Sequence, residues 1–323
     1  MRMLKNLARF ALHRCGGLAA VRHWSRRGLR ILTYHAFPQD LLPSLDRQCE
    51  HLGRHYRLVS MAEVAASIGG ARPLPANALA VTIDDGYADI AGAQTVFRKH
   101  GIPVTVYLVT DFLDHQMWFW WNRILYAFSR SDCRQLEIAD QRLTFDSGAQ
   151  RHAAADAVIE AAKRLPNARR LALCDEVVER LGVRLPDELP PEWRPLSWKQ
   201  VRELRRDGME FGAHTVTHPI LSTVEDDAML AREIAGSKRR IEEELGEPVK
   251  HFCYPNGQRA DIDERTLAAV RQSGFETAVT TEAGVNFRPE PFLLRRFLVD
   301  PQQPFSYFAE LVAGAHHFRR GES

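Results

Sequence analysis

Four side chains in this sequence have the types and spacing of a hydrolytic site. His214 and His218 follow the short strand pattern Phe211-Gly212-Ala213, so one turn past the strand end would place both imidazoles on the same side. Asp84 and Asp85 end the apolar run Ala78 to Ile83 and precede Gly86, whose backbone freedom lets the chain turn and send both carboxylates to one rim. Two histidines with one carboxylate make a metal site that keeps coordination positions open for water and substrate. The other carboxylate is then free to take a proton from that water as general base. His35 also stands at a strand end. A second pair at the same spacing, His51 and His55, lies mid-helix and off the apolar face with no carboxylate pair nearby, and is expected to be solvated surface.

To bring these residues together the chain needs a parallel sheet, because chemistry collects at the carboxyl ends of its strands. Short β-branched runs alternate with amphipathic stretches, which reads as an α/β fold. The strand candidates are 29–34, 78–83, 104–109, 210–213, 249–254, 277–281 and 292–299, close to the number needed for a barrel. Helices are expected around 45–56, 201–206, 228–245 and 264–273. Between residues 111 and 195 the alternation gives way to a stretch too long for an ordinary connection, read as an inserted helical subdomain. It opens with Trp118, Trp120 and Trp121, which would either dock a helix on the barrel or form an aromatic platform for sugar rings. The organisation expected is a basic arm at 1–28, a barrel at 29–310 carrying the insertion at 111–195, and a tail at 311–323.

With 323 residues, 45% hydrophobic and 26% charged, the chain can bury a large core and is neither disordered nor collagen-like. Forty-three Lys and Arg against 41 Asp and Glu leave no global basic field, so a dedicated nucleic-acid binder is not expected. Cys15, Cys49, Cys133, Cys174 and Cys253 are odd in number and never spaced Cys-x-x-Cys, which fits a reducing, cytoplasmic setting better than a disulfide framework. No acidic residue precedes Asp40, while Arg2, Lys5, Arg9, Arg14, Arg22, Arg26, Arg27 and Arg30 are basic. Arg9, His13 and Arg14 interrupt the apolar residues of this segment, which argues against a cleaved signal peptide. A basic amphipathic helix in peripheral contact with anionic lipid and a solvated arm are the two readings.

The string Val81-Thr82-Ile83-Asp84-Asp85-Gly86-Tyr87, followed by Gly212-Ala213-His214-Thr215-Val216-Thr217-His218-Pro219 and Phe252-Cys253-Tyr254-Pro255-Asn256-Gly257, resembles the first three motifs of the polysaccharide deacetylases, carbohydrate esterase family four, with its NodB-like domain. Thr33-Tyr34-His35 is similar to the start of many members. The resemblance implies a distorted (β/α) barrel of about seven parallel strands that removes N-acetyl groups from the amino sugars of a polysaccharide or glycolipid. It implies Asp84 as base, Asp85, His214 and His218 as ligands of a divalent metal, and the Asn256 backbone N–H as oxyanion donor. Zinc is the first expectation for the metal, with cobalt, nickel or manganese as alternatives. The chain departs from the family in having Cys253 where many members carry an arginine that orients the base; Arg295 and Arg296 are candidates to restore that charge. The fourth motif and the later Leu-x-His that supplies the general acid are missing, and His316 and His317 lie in the tail. His35 is then either the replacement acid or a structural histidine. Hydrolysis of another C–N bond in a small amide, and catalytically inactive sugar binding, are the alternative functions.

Overall fold

The computed structural model describes residues 17–138 and 141–315. The basic residues from Arg2 to Arg14, and His316 and His317, lie outside the described residues. Ten strands are described: β1 Arg30–Tyr34, β2 Arg57–Leu58, β3 Ala78–Ile83, β4 Val104–Leu108, β5 Gln135–Ile138, β6 Gln141–Thr144, β7 Glu210–Ala213, β8 His251–Cys253, β9 Thr277–Val279 and β10 Phe297–Leu298. Seven of them form one parallel sheet in the order β10-β1-β3-β4-β7-β8-β9, and β2 adds a short parallel pairing to β3. The sheet curls into a distorted barrel. Its two edges are drawn together by the stretch leading into β10, where Leu294 bridges Val279 of β9 in parallel before Phe297 and Leu298 pair with β1. The expected seventh strand, 292–299, is therefore divided between two neighbours, and only two of its residues form a regular ladder.

Alternation along the strands sorts side chains between the barrel interior and the helical shell. In β1 and β3, Leu32, Tyr34, Leu79, Val81 and Ile83 pack outward with helix residues such as Leu45, Cys49, Leu52, Ile90 and Phe97. Ile31, Ala78 and Ala80 pack with Tyr107, Cys253, Val279 and Leu294 in a separate cluster, the barrel interior. Counting in twos from Ala80 passes through Thr82 to Asp84, which explains why a carboxylate sits inside the barrel mouth.

The helices Leu42–His55, Trp198–Arg206 and Glu264–Gln272 lie where the apolar spacing puts them. The expected 228–245 helix is Asp227–Ala231, a π turn Arg232–Gly236 and Ser237–Leu245 in succession. Further helices, Met61–Ile68, Ile90–Lys99 and Phe305–Ala313, were not read from the sequence. The last of these begins within the expected barrel limit, and buried Leu311, Val312 and Ala313 belong to it, although 311 was expected to begin a tail. His51 is corrected too. It is half-buried against the rings of Phe305 and Phe308, at 5.4 and 6.0 Å, because the unexpected C-terminal helix covers that side of 42–55.

Between β4 and β7, helices Trp120–Arg130, Gly148–Ala162 and Asn167–Arg180 and the antiparallel hairpin β5–β6 enclose their own core of Ile124, Phe128, Leu136, Phe145, Val158, Cys174 and Val177. Trp120 is buried in that core, with the Arg170 guanidinium 5.4 Å from its ring. Among the described residues no helix is long and apolar enough to cross a membrane.

Candidate active site

At the carboxyl end of β3, Asp84 continues the strand and Asp85 leaves it with a φ of 75°, followed by Gly86 at 93°. Two successive left-handed residues turn the chain sharply enough for adjacent carboxylates to face one rim, so the turn expected from Gly86 also uses Asp85. Beyond β7 the loop to His218 has Thr215 at φ 71° and His218 at φ 58°. It is held by its own hydroxyl, since the His218 N–H donates to Thr215 Oγ1 at 3.0 Å. After β8, Asn256 and Gly257 take φ values of 59° and 63°. The rim therefore holds several backbone conformations that cost energy and that persist only where surrounding contacts fix them.

Asp85 Oδ1 lies 3.6 Å from Nε2 of both His214 and His218, and those two nitrogens are 3.1 Å apart. Three donor atoms thus converge on one point. Ligands about 2.0–2.2 Å from a zinc ion would be separated by about 3–3.5 Å, so this cluster fits a small divalent cation. His214 Nδ1 contacts the Cys253 carbonyl oxygen at 2.7 Å, which fixes the ring and leaves Nε2 for the ion. Burial lowers the His214 imidazole to about 4 and holds His218 well below its ordinary value, so both are neutral, as ligation requires. Burial, then the charge of Asp84, raises the Asp85 carboxyl. A bound cation would relieve both effects.

Asp84, Cys253 and His214 form a second convergence of donor atoms, but Asp84 is already paired. Arg296, fully buried, donates from Nη1 to Asp84 Oδ1 and from Nη2 to Oδ2, both at 2.7 Å, and from Nη1 to the hydroxyls of Thr33 and Thr82 at 3.0 Å. Burial alone would raise the Asp84 carboxyl, yet the Arg296 charge and hydrogen bonds hold it well below the usual carboxylate range. The Cys253 thiol lies 3.1 Å from Arg296 Nη2 and 3.5 Å from Asp84 Oδ2, and burial pushes it up, so it remains a neutral thiol. Of the two arginines considered from the sequence, Arg296 is the one that reaches the base; Arg295 is half-exposed beside it.

The remaining expected residues share this rim. His35 Nε2 is 3.9 Å from Asp84 Oδ2 with its side chain 41% exposed. Desolvation lowers its imidazole, against the opposing pull of Asp84. The Asn256 side chain donates to Asp261 Oδ2 at 2.5 Å and its carbonyl accepts from Thr281 Oγ1 at 2.6 Å. Among the described residues its backbone N–H has no acceptor. His35, Asp84, Asp85, His214, His218 and Asn256 all line one open cavity of about 1130 Å³.

Trp121 and Trp193 also line this cavity, together with Ile159 and Lys163 from the region between β4 and β7. Trp121 stacks on Phe119 at 4.5 Å and presents its ring to His218 at 4.7 Å. Within the tryptophan cluster, Trp120 packs into the core between β4 and β7 and also reaches the cavity wall, where Trp121 lies beside it. Glu233 was missed altogether. It is buried and accepts from the backbone N–H groups of Val216 and Thr217 at 2.9 and 2.8 Å, and from the Thr217 hydroxyl at 2.7 Å.

Comparison with known proteins identifies the family and the fold. The family model described as polysaccharide deacetylase matches residues 71–278. YxkH of Bacillus subtilis (strain 168), which carries the polysaccharide deacetylase name, is 27% identical over 118 residues, 36% of this chain and 41% of that relative. The match therefore spans well under half of the relative's length. Among solved structures, the Streptococcus pyogenes deacetylase PplD in complex with acetate superposes with a TM-score of 0.58 at 16% identity, covering 88% of this chain and 98% of that one. IcaB from Ammonifex degensii gives 0.56 at 19% identity, over 89% and 97%. At these identities the likeness is one of fold.

Proposed function

The chain belongs to the polysaccharide deacetylase family, and from that membership we propose that it is a metal-dependent hydrolase removing N-acetyl groups from the amino sugars of a polysaccharide or glycolipid. The observation that carries the reading is the convergence of Asp85, His214 and His218 beside an arginine-paired Asp84 at the mouth of a large cavity.

Asp85, His214 and His218 would hold a divalent ion, zinc first, with cobalt, nickel or manganese as alternatives. The ion's contribution when bound is Lewis acidity toward the acetyl carbonyl and toward water. Asp84 takes the proton from the attacking water. The Arg296 pair makes Asp84 a weak base but keeps it ionised throughout the working pH range. The free Asn256 N–H donates to the carbonyl oxygen as negative charge develops there. The departing nitrogen must gain one proton. His35, neutral at rest and 3.9 Å from Asp84, is placed to receive the proton from Asp84 and deliver it to the amine. The products are acetate and a free amino sugar.

Hydrolysis of a small amide is the less favoured alternative, because a cavity of about 1130 Å³ exceeds the range that encloses a compact small molecule. Sugar binding without catalysis is less favoured as well, since Asp84, Asp85, His214 and His218, the residues proposed as base and ligands, are all present. The test is acetate release from N-acetylglucosamine oligomers and from small cyclic amides, before and after chelation and metal restoration. Metal-dependent acetate from the oligomers alone is expected. Turnover confined to cyclic amides, or undiminished after chelation, would refute the proposal.

A further inference from the structure

Glu233 lies fifteen residues beyond His218 on another element, yet all three of its hydrogen bonds end on Val216 and Thr217, inside the loop that carries both histidines. The loop needs such a partner. Thr215 and His218 are non-glycine residues at positive φ, and strained conformations of that kind persist only where surrounding contacts impose them. The opposite side of the loop is also tied, by the backbone N–H groups of Thr110 and Asp111 donating to the carbonyls of Thr215 and Val216 at 3.2 and 3.0 Å.

The element carrying Glu233 has a matching irregularity. Glu233 sits in the π turn Arg232–Gly236, and π turns are rare and concentrate at functional sites. Gly236 brings that turn close to the loop, because a Cβ added there would stand 3.3 Å from Val216 Cγ2. A buried carboxylate satisfied only by two N–H groups and a hydroxyl is a costly device where fold stability alone is at stake, since those donors could be met by a neutral acceptor.

We infer that Glu233 is a positioning residue for the metal centre, holding the 214–218 loop so that His214 and His218 present their Nε2 atoms to one ion. The inference rests on the proposed Asp85, His214 and His218 site. It concerns the shape of that site and leaves the chemistry to the residues already named. Partners that orient metal ligands typically change metal affinity or activity about ten- to hundredfold when removed.

The test titrates cobalt(II) into the metal-free full chain and follows affinity and visible absorption for wild type, Glu233→Gln, Thr217→Val and His214→Ala. Glu233→Gln retains volume and one acceptor oxygen for the two backbone N–H groups but removes the negative charge and the acceptor for the Thr217 hydroxyl, and is expected to weaken cobalt(II) binding about ten- to hundredfold and to shift the spectrum. Thr217→Val removes one hydrogen bond without touching the carboxylate and should give a smaller loss in the same direction, which tests the idea even where Glu233→Gln folds poorly. Wild-type affinity and spectrum in both variants, with only the melting temperature lowered, would make Glu233 a structural residue and overturn the inference. Failure of wild type to bind cobalt(II), or wild-type binding by His214→Ala, would overturn the metal site itself and the inference with it.

Discussion

Asp84 and Asp85 are adjacent in sequence and opposite in environment. Asp84 has a buried guanidinium on both oxygens and stays ionised, whereas Asp85, among the described residues, lies against the two neutral histidines and is raised by burial and by its neighbour. One is finished as an ion pair, and the other awaits a positive charge. Asp84→Asn should therefore keep bound metal while turnover falls about a hundredfold or more, and Asp85→Asn should lose the metal and with it the activity. Elemental analysis after desalting, alongside turnover on an acetylated oligomer, separates the two; equal metal content would refute the division of labour. These residues were readable from the sequence because strand alternation and Gly86 act locally. Arg296 could be named only as one of two candidates, since nothing in Arg295-Arg296 says which faces inward. Glu233 left no signal, because on an amphipathic helix a glutamate ordinarily reads as solvated.

At the level of elements, the site depends on short strands whose ends are set by close packing. Gly212 is the tightest point of β7. A Cβ there would lie 2.6 Å from the Tyr107 ring and 2.8 Å from the His251 carbonyl oxygen, and a backbone atom cannot swing away as a flexible side chain can. Gly212→Ala should thus force β7 from its neighbours, costing about 1–3 kcal/mol as overpacking does, and displace His214 two residues on. Denaturant midpoints and cobalt(II) affinity should fall together. Gly53→Ala, in an exposed helix position with no atom within 4 Å of the added carbon, should be neutral or slightly stabilising. A destabilisation as large at Gly53 would refute the packing argument. Strand positions were legible to within a few residues, as apolar runs bounded by turn residues. The helix at 61–68 was missed although Ser60 and Glu63 form a capping box whose sequence pattern is recognisable. The hairpin β5–β6 was not anticipated within a stretch read as helical.

For the whole molecule, closure of the barrel was the least legible feature, because it depends on one stretch changing partners from β9 to β1 and on a two-residue ladder. Closure places polar residues in the interior, and one of them contributes to how the fold responds to acid. His251 on β8 is buried and its Nδ1 lies 2.8 Å from Thr277 Oγ1 on β9. Burial lowers its imidazole to about 4, against the opposing pull of Glu276. In the unfolded chain it would titrate near 6.5, so as pH falls the unfolded state takes up the proton first. The stability is fully present above about pH 6.5 and is lost as pH falls toward 4, by an amount on the order of 3 kcal/mol for this one group. His214 and His218 act in the same direction in metal-free protein, and the raised Asp85 carboxyl acts against them. A comparison at fixed metal content isolates His251. His251→Asn retains a polar atom for Thr277 without a titratable ring. Urea unfolding of wild type and His251→Asn between pH 7.5 and 4.5 should give stability curves that are parallel above pH 6.5 and diverge below it, the variant losing less. Curves parallel over the whole range would mean that His251 is not held neutral by the folded barrel.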